Sequence, residues 1–230
     1  LLPGSAKVHP DRYIIVGAHY DHLGMAGKRL YPGADANASG VVAMTSVAEM
    51  LSMTRSIGRS YNCNIIFAAF DAKEMNMEGS KRLWEAIAGG ELTDPVSGNP
   101  ITRNKIIFMV NIDQIGSSLA PLNKGREDYM IMLGNPNLKR SYNDMLKVCN
   151  DSYDIGLDLG FTYYGSDNFT KLFYRLSDQQ SFTERGIPAL LFTSGITKLT
   201  NKEGDRVETL NLDVLRRRIE LIYRFIWLIE

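Results

Sequence analysis

Short apolar runs rich in β-branched residues recur along this chain, and helical patterns lie between them. RYIIVGAHY (12–20), NCNIIFAAFD (62–71), KIIFMVNID (105–113), YMIML (129–133) and IPALLF (187–192) are each of strand length. ASGVVAMTSVAEMLSM (38–53) has helical spacing, with Val42, Val47, Met50 and Leu51 available for one face. EGSKRLWEAIAGG (78–90) and NLKRSYNDMLKVCNDS (137–152) also read as helices. A continuous apolar strand is one buried on both faces, and strands separated by helices pair mostly in parallel. The pattern therefore predicts an α/β three-layer sandwich, a mostly parallel central sheet with helices on both faces, as one domain over 1–230. The last stretch, 211–230, places Leu212, Leu215, Ile219, Ile222 and Ile226 at three- and four-residue steps. That predicts an amphipathic helix with Asn211 as its N-cap.

The 230 residues, 44% of them apolar, suffice for one sizeable core. Lysine plus arginine equals aspartate plus glutamate, 26 of each. No basic excess points to nucleic acid or to an anionic membrane surface. No apolar run approaches the ~18 residues that span a bilayer. Cys63 and Cys149 are too few for a disulfide scaffold and leave two readings, a pair of buried thiols or a single bridge.

In such a sheet, ligands sit beyond the C-terminal ends of the strands. The first strand runs into GAHYDHLG, which puts His19, Asp21 and His22 there. The second ends in FDAKE, with Asp71, Lys73 and Glu74, and the third in NID, with Asp113. Imidazole and carboxylates converging on one sheet edge suit first-row metal chemistry, most naturally zinc.

The order and spacing of these segments resemble the M28 zinc peptidases, a family of bacterial aminopeptidases and their relatives. VGAHYDHLG is similar to the family's first metal motif. GADANASG resembles GADDNASG, FAAFDAKEMNMEGS resembles FVAFDAEEQGLLGS, and NIDQIG resembles NLDMIG. FYRLSDQQSFTERGIPALLF is similar to YYRSDHYPFAKKGIPALFF. The resemblance implies a zinc-exopeptidase-like fold, two zinc ions and a secreted or periplasmic setting. It also implies that the family's chain starts earlier than this sequence does.

Carried over position by position, the resemblance makes His19 and Asp113 ligands of a first metal. Asp21 becomes the carboxylate that orients His19, and Glu74 a ligand of a second metal. The metal-bridging acid falls on Ala36, the general base on Lys73 and the late histidine ligand on Asn201, with Asp205 as the trailing acid. The histidine of the SDH motif falls on Gln179. The chain has three histidines, His9, His19 and His22, so none lies between 23 and 230.

A methyl group cannot bridge two cations, and a protonated lysine has no lone pair to accept a proton. The implied function is a non-catalytic M28-fold protein, with no zinc or weakly held zinc, whose cleft takes a peptide or a small molecule. The alternative is an aminopeptidase-like hydrolase with a rearranged, single-metal site, in which Asp35 joins His19 and Asp113. Lys73 either offsets the charge of Asp21, Asp35, Glu74 and Asp113 or points to solvent. Ser39, Ser80 and Ser177 have no partner histidine in an arrangement that suggests nucleophilic catalysis.

Overall fold

The computed structural model describes residues 1–5, 11–118, 125–135, 138–163 and 165–229. His9 and residue 137 lie outside them. Among the described residues there are eight strands: β1 (Tyr13–His19), β2 (Gly24–Ala26), β3 (Arg29–Tyr31), β4 (Asn64–Phe70), β5 (Ile106–Ile112), β6 (Tyr129–Gly134), β7 (Asp158–Gly160) and β8 (Ala189–Thr193). The helices are α1 (Ser39–Ser56), α2 (Glu78–Ala88), α3 (Ser141–Ser152), α4 (Asp167–Tyr174), α5 (Gln180–Thr183) and α6 (Leu212–Ile229).

Six strands form one sheet in the order β4-β1-β5-β8-β6-β7. β4, β1, β5 and β8 run parallel, while β6 is antiparallel to β8 and β7 follows the direction of β6. All seven residues of β1, at the centre of the parallel part, are buried, as its unbroken apolar run requires. On one face the sheet packs against α1, α3 and α6 through Ile14, Val16, Val47, Leu51, Leu146 and Phe225. On the other it packs against α2 and α5 through Tyr13, Ile15, Trp84, Ile87 and Phe182. The three-layer α/β architecture read from the sequence is the one observed.

Asn211 caps α6, its Oδ1 accepting the Val214 amide at 3.1 Å. The buried faces shift slightly from expectation. Val42 is 51% exposed and Leu212 62% exposed, so the buried apolar stripe runs through Ala43, Met44, Val47 and Leu51 in α1 and from Val214 and Leu215 onward in α6. The stripe of α6 also contains Arg218, which is fully buried. Cys63 and Cys149 are both buried and no disulfide joins them. The small antiparallel hairpin of β2 and β3 stands outside the main sheet. Among the described residues no helix is long and apolar enough to cross a membrane.

Candidate functional site

The C-terminal ends of β1, β4 and β5 lie side by side, because these strands are neighbours in the sheet and share one direction. His19 ends β1 and is fully buried, and Asp113 follows β5 and is buried beside it. The His19 Nε2 lies 3.3 Å from Asp113 Oδ1. On the other side of the ring, Nδ1 donates to the Asp21 carbonyl at 3.1 Å, with an Asp21 carboxylate oxygen at 3.5 Å. A carbonyl only accepts, so this contact keeps the proton on Nδ1 and leaves Nε2 facing Asp113.

The Asp21 carboxylate serves a second purpose. Its two oxygens accept the backbone amides of Lys73 and Glu74, at 3.0 and 3.1 Å. This fixes the loop between β4 and α2 over the end of β1. Gly79, at the start of α2, closes that loop: a Cβ there would stand 2.3 Å from the Asp71 carbonyl oxygen. The loop turns the Lys73 side chain inward, where it is only 15% exposed. Its Nζ lies 3.3 Å from Glu74 Oε1 and 4.0 Å from Asp113 Oδ2. The lysine therefore stands between two carboxylates rather than in solvent.

The charges in this cluster respond to one another. Burial pushes the Lys73 ammonium down, but Asp113 and Glu74 outweigh it, and the net shift is upward. Burial likewise opposes the His19 imidazolium, and the Asp113 carboxylate raises it overall. Burial disfavours the Asp113 carboxylate, yet Lys73, and after it His19, hold it well below the usual carboxylate range. Opposite charges within a few ångströms favour the ionised forms, and here they prevail over desolvation.

A chain of hydrogen bonds runs inward from Asp113. Ser177 donates to Asp113 Oδ2 at 2.6 Å, and Asn111 Nδ2 donates to both Ser177 Oγ and Gln179 Oε1 at 2.8 Å. Gln179 in turn donates to the Tyr174 carbonyl. Gln179 is fully buried and belongs to this support, not to the cleft surface.

The GADANASG segment forms a tight turn, Ala34–Ala38, with a cis peptide between Ala36 and Asn37. Ala36 is buried, and its amide and that of Asp35 donate to the carboxylate of Asp205, at 3.1 and 2.8 Å. Asn37 Nδ2 donates to the carbonyls of His19 and Ile112, while its Oδ1 accepts the amides of Gly40 and Gln114. It thus joins the ends of β1 and β5 to the start of α1. Gly40 permits this approach, since a Cβ there would meet Asn37 Oδ1 at 2.4 Å and the Ile112 carbonyl oxygen at 2.7 Å. Asp35 is buried, and its carboxylate accepts from Gly116 N at 2.7 Å, Ser39 Oγ at 3.1 Å, Ser117 N at 3.3 Å and the Ser117 hydroxyl.

A cleft of about 200 Å³ opens beside the cluster. Lys73, Asp113 and Asn201 form its polar side, and Tyr163, Phe173 and Leu176 its apolar wall. Asn201, in a left-handed conformation with φ of 58°, is exposed at the rim. A larger cavity of about 690 Å³, lined by residues of α4 and α5, includes none of the residues singled out from the sequence except through their neighbours in the chain.

Asn37, Asn111 and Asp178 are site residues that the sequence reading missed. Asp178 is fully buried, and neither carboxylate oxygen has a hydrogen-bond partner among the described residues. Burial pushes it up to about 6, with the Ser80 hydroxyl acting the other way. A carboxyl whose folded value lies above its unfolded ~3.9 destabilises the protein progressively as pH rises from about 4 to 6. Asp178→Asn is therefore expected to gain about 2 kcal/mol at pH 7 and nothing at pH 4. Urea unfolding at both pH values checks this, and an equal effect at both would refute it.

The positions that could hold a metal are His19, Asp113 and Glu74. Lys73 stands among them, Asp21 is engaged with backbone amides, and Asp35 already has four donors. Among the described residues no three His, Cys, Asp or Glu side chains are grouped so as to share a metal ion. The donor set does not fit a zinc pair, because a bridging carboxylate and a second imidazole are missing from it.

The sequence matches the profile of peptidase family M28 over residues 1–226. No curated protein matches it. Among solved structures, a zinc aminopeptidase from Bacillus subtilis is similar with a TM-score of 0.73 and 20% identity, covering 100% of this chain and 48% of that one. The LapA aminopeptidase of Legionella pneumophila has a TM-score of 0.69 and 20% identity, covering 93% of this chain and 50% of that one. The gamma-secretase component Nicastrin has a TM-score of 0.72 and 19% identity, covering 98% of this chain and 41% of that one. The chain thus spans about half the length of these aminopeptidase structures.

Proposed function

The chain belongs to peptidase family M28, and from that membership we propose that its cleft binds a peptide end or a small molecule without hydrolysing it. One observation carries this reading. At the general-base position stands an ammonium, 3.3 Å from Glu74 and 4.0 Å from Asp113. It cannot accept a proton from water, and its charge opposes a dication among the same carboxylates. Ala36, and the lack of any histidine after residue 22, remove the bridging carboxylate and the late imidazole from the same site.

The single-metal alternative needs Asp35 as a ligand. Its carboxylate would have to leave Gly116, Ser39 and Ser117 to reach one. A shared fold does not by itself choose between catalysis and binding. The charged floor and apolar wall of the cleft suit a small ligand with one ionic end.

The test is a leucyl-anilide assay, paired with calorimetric zinc titration of protein purified without chelator. Turnover is expected at least ~10²-fold below that of a zinc aminopeptidase assayed in parallel, as loss of the general base alone predicts. Two zinc ions bound with sub-micromolar affinity, or turnover that a chelator abolishes, would overturn the proposal.

A further inference from the structure

Glu74 and Asp113 both approach the Lys73 ammonium. Asp178, fully buried and unpartnered, feels that ammonium as well. Carboxylates gathered in a half-buried pocket need a compensating cation, whether dissociable or covalently attached. Here the cation is part of the chain. The Asp21 carboxylate holds the amides of both Lys73 and Glu74, so the ammonium and one of its partners are delivered by one fixed loop.

We infer that Lys73 is a tethered substitute for a dissociable metal ion: it makes folding of this site independent of metal, and it keeps divalent cations out. The inference deepens the metal-free reading of the site given above and rests on it.

Two features indicate what removal of the ammonium would expose. His19 Nδ1 contacts the Asp21 carbonyl while Nε2 faces Asp113, so Nε2 is the ring nitrogen that a cation in the pocket would meet once that nitrogen has lost its proton. The separation of 3.3 Å between His19 Nε2 and Asp113 Oδ1 equals that of two ligands held ~2.0–2.1 Å from one tetrahedral ion. As the side chains stand, no three donors among the described residues are grouped to share an ion; Glu74, released from its lysine, would have to turn toward the His19–Asp113 pair to complete a set of three. A lysine that merely decorated the strand tip would have no such relation to the histidine and the acids.

The experiment compares the unmodified protein with Lys73→Met, which keeps bulk and loses charge, and with Lys73→Arg, which keeps charge. Melting temperatures are measured in chelator and in micromolar zinc chloride, and zinc binding is followed by calorimetry. The unmodified protein and Lys73→Arg are expected to melt at the same temperature in both media. Lys73→Met is expected to lose about 2–4 °C in chelator and to recover at least half of that with zinc. It should bind one zinc ion per chain.

A Lys73→Met protein as stable as the original in chelator, or one that zinc neither binds nor stabilises, would overturn the inference while leaving the metal-free reading intact. Zinc binding by the unmodified protein would sink both. Should Lys73→Met not fold in chelator, the double variant Lys73→Met/Glu74→Gln, with one carboxylate fewer, is expected to fold there. Failure of both in chelator and in zinc would also overturn the inference.

Discussion

Arg218→Ala is expected to lower the free energy of unfolding by about 3–5 kcal/mol, because it opens a cavity and strips buried acceptors of their donor at once. Arg218 lies in the apolar stripe of α6 and is fully buried. Its guanidinium donates to the carbonyls of Tyr129, Ile115, Ser117 and Glu127 and to the Ser118 hydroxyl. Burial lowers it to about 10, so it remains charged at neutral pH. Truncation would strand several buried carbonyls and leave a void the size of the side chain. It would also loosen residues 115–118, which hold the carboxylate of Asp35. Urea unfolding near pH 7 measures the loss, and a loss below about 1 kcal/mol would show that water replaces the guanidinium without penalty.

Asp113→Asn is expected to destabilise by about 3 kcal/mol at pH 7, because it leaves the Lys73 ammonium and the His19 ring with a neutral amide. The pH dependence identifies the cause. Asp113 has a depressed folded value, so its contribution is complete above its unfolded ~3.9 and fades as pH falls further. The gap between variant and original should therefore narrow below about pH 4. His19 has a raised folded value, so its contribution is complete below ~6.5 and is lost as pH rises through that folded value. Without the Asp113 charge that alkaline loss should disappear. Urea midpoints from pH 3 to pH 9 test both limbs, and a gap that stayed constant over the whole range would mean that packing, not charge, accounts for it.

Most of the parallel sheet could be read directly, since β1, β4, β5 and β8 are unbroken apolar runs and their ends necessarily share one edge. The convergence of His19, Glu74 and Asp113 followed from that geometry, and the capping role of Asn211 from the helical steps that follow it. Other features depend on partners far along the chain. β6 reads as a strand, but nothing local reveals that it reverses direction beside β8. The short elements β2, β3 and β7 have too few residues for a period to emerge, and α4 and α5 lie in a segment whose pattern is mixed. Leu212 lies outside the buried stripe because a helical pattern fixes a face and not the turn at which that face meets the sheet, and Val42 because Ala43 and Met44 beside it take the buried face of α1. Arg218 was passed over because an arginine among apolar positions ordinarily marks the solvent side. Its five partners come from 115–118 and 127–129, some ninety to a hundred residues away. Asn37, Asn111 and Asp178 act on backbone or on buried groups, and neither role leaves a spacing signal.

Three side chains frame this site by bonding to main chain. Asp21 holds the amides of 73 and 74, Asp205 those of 35 and 36, and Asn37 ties both flanking strands to α1. None of these bonds depends on which side chain occupies position 36 or 73. The bonds that place the loop are thus separate from the charge it carries: substitution at position 73 changes the charge balance of the cluster, while the carboxylate that holds the amides of 73 and 74 stays in place.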